Sequence, residues 1–183
     1  MIIGMAGHID HGKSALAQAL TGQPMDRLAE EQRRGITLDL NFAPLDLGEL
    51  GIVGLVDVPG HENLVRTMIA GASGLDVALL VIAADEGVMP QTLEHLAVLE
   101  HLRVPAGIPV LTKADLVSPE QLGRLAGEVA SWLARSPVEF EPPVITSARS
   151  GQGIEALRSR IEARVRAALP RPSSTRPLCA LSS

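Results

Sequence analysis

"GHIDHGKS", residues 7–14, follows directly on the apolar run Met1–Ala6 and leads into a stretch, 13–20, with helical spacing. Gly7-x-x-x-x-Gly12-Lys13-Ser14 is the pattern of a phosphate-binding loop set between a strand and a helix. The glycines let successive backbone N–H groups turn inward around a β-phosphate. Lys13 brings a compact positive charge to the β and γ oxygens, and the Ser14 hydroxyl can ligate Mg²⁺. The helix opening at residue 13 adds the positive end of its dipole. The stretch His8, Ile9, Asp10, His11, Gly12, Lys13, Ser14 and Ala15 is therefore expected to wrap phosphates through its backbone, with the side chains of the intervening positions turned outward. His8 and His11, three apart, are also capable of binding a transition metal, but no cysteine or third clustered ligand completes such a site.

Outward from the loop the chain alternates. Short apolar runs near 2–6, 38–45, 51–57, 76–83, 107–112 and 143–147 read as strands, and stretches at 13–20, 62–72, 91–102, 119–134 and 153–168 read as helices. Strands this continuously apolar are buried on both faces. The pattern predicts an α/β protein with a three-layer P-loop NTPase fold: a mostly parallel six-stranded sheet, one antiparallel edge strand where 38–45 meets 51–57, and helices on both faces. Ligands of such sheets sit beyond the carboxyl ends of the strands. Residues 1–169 read as one domain and 170–183, without periodicity, as a linker or disordered tail.

Composition narrows the function. Of 183 residues, 46% are apolar, enough for a core that folds alone, and the formal charge of -5 supplies no broad field to draw nucleic acid or anionic lipid. The single cysteine, Cys179, fits a reducing compartment. No apolar run approaches the roughly 18 residues of a membrane span. The expectation is a cytoplasmic monomer with no membrane association.

Three further segments follow predicted strands. "TKAD", 112–115, places Asp115 to accept from guanine N1–H and the 2-amino group together, donors that adenine does not offer at those positions, while the stem of Lys113 can cover the base face. "TSARSGQG", 146–153, offers backbone N–H groups near Ala148, flanked by Ser147 and Arg149, to guanine O6. "DVPGHEN", 57–63, places Asp57 to hold Mg²⁺ through a water and Gly60 to approach the γ-phosphate, with His61 next in line to orient the attacking water. Thr37 in "RRGIT", 33–37, can give Mg²⁺ a second hydroxyl. His95 and His101 share one helical stretch and read as surface or interface residues.

With these segments in order the chain resembles the GTP-binding domain of a translational GTPase over about residues 1–168. "GHIDHGKS", "RGIT", "DVPGH" and "TKAD" are similar to the combined signatures of elongation factor Tu, bacterial initiation factor two and the selenocysteine-specific elongation factors. "MDRLAEEQRRGITLDL" at 25–40, "GVMPQTLEHLAVL" at 87–99 and Thr112 are most similar to the last group. The resemblance implies a GTP/GDP switch with Mg²⁺, His61 as the water-orienting residue, Ile9 and Ile36 as an apolar gate before it, and Asp10 beside a monovalent cation. It also implies hydrolysis stimulated by the ribosome, and a parent protein that carries aminoacyl-tRNA, here selenocysteyl-tRNA. Alternatives within reach of the same residues are the GTP-binding domain of another translation factor and a nucleotide sensor with little hydrolysis. Ser14 and Thr112 depart from the more usual threonine and asparagine; the shorter Thr112 predicts a looser link between base site and phosphate loop.

Overall fold

The computed structural model describes residues 1–22, 42–58 and 74–168. Strand β1 (Ile2–Gly7) leads through the loop into α1 (Lys13–Thr21); β2 (Phe42–Asp46) and β3 (Ile52–Asp57) form a hairpin; β4 (Val77–Ala83) precedes α2 (Pro90–His101). Then β5 (Ala106–Thr112) precedes α3 (Pro119–Leu133), and β6 (Glu139–Phe140) and β7 (Val144–Ile145) precede α4 (Ile154–Ala168). The strand order is β2-β3-β1-β4-β5-β6, and β7 also pairs with β5. Every pairing is parallel except β2 with β3, where Pro44 faces Gly54. The mostly parallel sheet with one antiparallel edge is as the sequence implies.

The alternation of side chains along a strand explains the continuous apolar runs. On β4, Val77, Leu79 and Val81 enter one core with Leu16, Leu20, Leu157 and Ile161 of α1 and α4. Ala78, Leu80 and Ile82 enter the other with Leu96, Leu99, Val129 and Leu133 of α2 and α3. Both faces of the sheet are thus covered, giving three layers. Helix boundaries follow local chemistry. Ser118 accepts from the Gln121 amide while Gln121 accepts from the Ser118 amide, a reciprocal cap with Pro119 at the first turn of α3. The left-handed Gly22, φ 72°, closes α1 by donating to the Gln18 carbonyl.

Two features depart from the sequence reading. A seventh strand, β6, pairs Glu139 with Ala106 and Phe140 with Gly107; two residues are too few to show a period, and the Phe140 ring occupies the space beside Gly107 where a Cβ would stand 2.2 Å from it. The run at 143–147 is a strand only at Val144–Ile145, since Thr146 and Ser147 leave it for the loop described below. The expected helix 62–72, the beginning of strand 38–45 and the tail 170–183 lie outside the described residues. Among the described residues no helix is long and apolar enough to cross a membrane.

Candidate nucleotide-binding site

The loop after β1 is shaped by two glycines. At Gly7, φ 146°, a Cβ would stand 2.2 Å from the Val81 carbonyl oxygen, so the close approach of β1 to β4 admits no side chain. Gly12, φ 82°, turns the chain left-handed immediately before α1. Among the described residues no side chain caps α1, and no acid occupies its first turn, so its first N–H groups are open to an anion. The Lys13 ammonium lies across the loop, donating to the carbonyls of Gly7 at 2.9 Å and His8 at 3.0 Å. Ser14 and Ala15 are exposed at the helix start, and Ile9 and Asp10 face outward as expected.

His11 does not. It is fully buried, its Nδ1 3.4 Å from the Val81 carbonyl and its Nε2 3.8 Å from Glu86. The outward orientation expected for all the intervening positions is corrected here. The chain is left-handed at Asp10 and again at Gly12, and the His11 imidazole packs against the end of β4. Burial pushes the His11 pKa down, against the Val81 hydrogen bond and the Glu86 charge. His8 meets His11 edge to face at 5.0 Å. Among the described residues no cluster of three or more His, Cys, Asp or Glu side chains could hold a metal ion.

His95, read as a surface or interface residue, is buried inside the fold. It is 1% exposed, and its Nδ1 accepts from the Gly7 amide at 2.6 Å. One turn earlier on α2, Gln91 accepts from the Ile9 amide at 2.9 Å. Helix α2 therefore holds two backbone positions of the phosphate loop, a role the sequence reading missed. The four-residue spacing of Gln91 and His95 on one helix face was the available signal. Burial, and next the Lys13 charge, lower the His95 pKa to about 4.

The side of the site away from Lys13 assembles from three loops. Thr112, ending β5, donates from Oγ1 to the His11 carbonyl at 2.6 Å. The link from Thr112 to the phosphate loop is direct, because β5 brings Thr112 up against the loop. Lys113, left-handed at φ 55°, reaches Glu86 at 3.1 Å and Asp85 at 3.6 Å. Burial opposes its charge, but its hydrogen bond to Glu86 and the charges of the two carboxylates outweigh it and raise the pKa. The Asp115 carboxylate accepts from the Ser147 hydroxyl at 2.6 Å, which lowers its pKa. The Ala114 amide donates to the Thr146 carbonyl, joining the two segments through backbone as well. Gly12, Ala15, Thr112, Lys113, Asp115, Leu116, Ser147, Ala148 and Arg149 line a cavity of about 240 Å³. The "TKAD" and "TSARS" segments are thus brought together against the phosphate loop.

At the other end, Asp57 closes β3 half-buried. Its Oδ1 has no hydrogen-bond partner among the described residues, and burial raises its pKa against the opposing Lys13 charge. A buried carboxylate oxygen without a partner, and the Ser14 hydroxyl exposed at the start of α1, are the hard oxygen donors that suit Mg²⁺. Thr37, Gly60, His61 and Ile36 lie outside the described residues.

Residues 1–167 match the family model described as elongation factor Tu GTP binding domain. The chain is 53% identical over 161 residues to a selenocysteine-specific elongation factor of Desulfomicrobium baculatum, an alignment covering 88% of this chain and 25% of that protein. It is 38% identical over 182 residues to the translation initiation factor 2 subunit gamma of Thermococcus onnurineus, covering 87% of this chain and 44% of that one. The crystal structure of a bacterial selenocysteine-specific elongation factor superposes with a TM-score of 0.74 at 38% identity, covering 92% of this chain and 29% of that one. The chain therefore spans about a quarter of the length of the selenocysteine-specific relative.

Proposed function

The chain belongs to the elongation factor Tu GTP-binding-domain family, and on that premise we propose that it is the GTP-binding, GTP-hydrolysing switch domain of a selenocysteine-specific elongation factor. One observation carries the reading. The loop that presents Lys13 and the first N–H groups of α1 is bonded through His11 and Thr112 to a cavity edged by a carboxylate, Asp115, held by Ser147. A phosphate tail and a purine with two adjacent donors fit that pair of features together, and guanine is the purine that has them.

In this reading His8, Ile9, Asp10, His11, Gly12, Lys13, Ser14 and Ala15 wrap the phosphates, Asp115 reads N1–H and the 2-amino group, the backbone from Ser147 to Arg149 meets O6, and the stem of Lys113 covers the base with Thr112 beneath its edge. Mg²⁺, when bound, neutralises charge on the β and γ oxygens; Ser14, Asp57 and Thr37 would hold it. Gly60 senses the γ-phosphate and His61 orients the attacking water, with Ile9 and Ile36 screening it. Asp10, exposed at the crest of the loop, can face a monovalent cation. Hydrolysis stimulated by the ribosome, delivery of selenocysteyl-tRNA, a monomeric state and a cytoplasmic location complete the assignment, the first two belonging to the parent protein. The 53% identity to a factor of that name supports it. The 38% match to an initiation factor subunit supports a second reading, the GTP-binding domain of an initiation factor.

Titration calorimetry of the 183-residue chain with GDP, GTP and ATP tests the nucleotide assignment: heat with the guanosine nucleotides and none with ATP is expected. Equal uptake of ATP by folded protein refutes it. Selenocysteyl-tRNA against initiator tRNA, offered to the parent protein with GTP bound, separates the two translation factors.

A further inference from the structure

Thr112 is 4% exposed and lines the base cavity beside Gly12. Its hydroxyl has one hydrogen to give. The His11 carbonyl oxygen takes it at 2.6 Å, and the next neighbour of Oγ1, the Ile82 carbonyl at 3.4 Å, is an acceptor as well. Breaking the His11 bond to donate elsewhere would leave a buried carbonyl without its partner, a loss of the same size as the bond gained.

The polar atoms on the rim of guanine run in a fixed order: 2-amino group, N1–H, O6, N7. With Asp115 on the first two and the backbone near Ala148 on O6, the following atom, N7, comes against the wall that Thr112 and Gly12 form. N7 only accepts. Of the other side-chain donors lining the cavity, Lys113 is held by Glu86 and Asp85 and the Ser147 hydroxyl by Asp115, while the Arg149 charge acts on Asp115, on the side of the base that N1 faces.

We infer that Thr112 sets the base specificity of this pocket by spending its one proton on the phosphate loop, so that guanine is read at N1, the 2-amino group and O6 while N7 goes unread. The proposal rests on the guanine assignment above and extends it to the imidazole edge. A 7-deazaguanine nucleotide, in which N7 is a C–H, is then as good a ligand as the natural one. An amide at this position has two N–H groups and can serve His11 and N7 together, so Thr112→Asn creates the discrimination that the natural residue lacks.

The test is competition of GTP, 7-deaza-GTP and ITP against a fluorescent GDP on the full 183-residue chain, its T112N variant and its T112V variant. In the natural protein GTP and 7-deaza-GTP bind within about twofold of each other, while ITP, lacking the 2-amino group, binds at least roughly tenfold more weakly. T112N prefers GTP over 7-deaza-GTP by roughly fivefold to tenfold, the worth of one hydrogen bond. T112V loses the tie to His11 and weakens GTP and 7-deaza-GTP alike. Discrimination of about fivefold or more against 7-deaza-GTP by the natural protein overturns the proposal while rejection of ITP leaves the Asp115 assignment standing. Equal binding of ITP and GTP removes the Asp115 assignment and the proposal with it. The comparison on the natural protein decides the matter even where a variant fails to fold.

Discussion

The Gly7 amide donates to Nδ1 of His95 across 88 residues of sequence, at 2.6 Å and out of reach of solvent. A neutral imidazole with its proton on Nε2 is required for that bond, and burial beside Lys13 enforces it by lowering the pKa from 6.5 to about 4. The imidazole is therefore a pH-sensitive strut under the phosphate loop.

Because the folded value lies below the unfolded one, this contribution to stability is complete above about pH 6.5 and is lost as pH falls through 4. The loss amounts to roughly 3 kcal/mol for His95 alone. Urea unfolding of natural protein and His95→Gln at pH 7, 6, 5 and 4 measures it. The gap between the two proteins narrows on acidification. A gap independent of pH removes the strut from the account.

The two glycines of the loop differ in what an added methyl meets. At Gly7 it would stand 2.2 Å from the Val81 carbonyl oxygen, whereas at Gly12 the nearest atoms, those of Thr112, are 3.8 Å away or more. Gly12→Ala therefore costs only the left-handed strain of a non-glycine residue, about 1–2 kcal/mol. Gly7→Ala forces β1 from β4 and costs several kcal/mol, at the exceptional end for single substitutions. Thermal unfolding of the two variants should show that order; equal melting temperatures contradict the packing of β1 on β4.

Much of this was legible in the sequence because the chemistry is local. Gly7, Gly12, Lys13 and Ser14 stand at fixed spacing in one loop, and Asp115 and Ser147 each follow a strand that ends at the same edge of the sheet. What was not legible depends on packing between distant elements. His95 reads as a surface or interface histidine until α2 is laid against β1, and His11 reads as outward until the Val81 carbonyl and Glu86 surround it. The Thr112 tie is of the same kind: the length of a side chain says little about reach until the position of its Cα is known. Strand β6 escaped because two residues carry no period.

Asp115 is exposed, yet its geometry is fixed by the Ser147 hydroxyl at 2.6 Å. Replacing it with Asn puts an amide donor where guanine also donates, and guanine affinity should fall by about 10²-fold or more. Xanthine, whose 2-oxo group accepts, should gain. Ser147→Ala leaves the carboxylate in place but free to rotate, so guanine binding falls by only a few-fold, about the net worth of one hydrogen bond. Competition with GDP and XDP reads both variants. Persistent choice of GDP by Asp115→Asn places the base elsewhere.

Lys13 spans the loop through the carbonyls of Gly7 and His8 at 2.9 and 3.0 Å, so the ammonium already stands where a phosphate chain would lie. Lys13→Ala removes the loop's own charge, and among the described residues Lys113 is held by Glu86 and Asp85. A hydrogen bond from a charged donor contributes about 1.5–3 kcal/mol, so affinity for GDP and GTP should fall between roughly tenfold and 150-fold. The base cavity is untouched by the change. The residual binding should therefore keep its preference for guanine over adenine, a pattern that separates loss of the phosphate contact from general unfolding. Calorimetry on Lys13→Ala with GDP, GTP and ADP supplies the comparison. Near-native affinity in the variant would mean that the loop does not hold the phosphates.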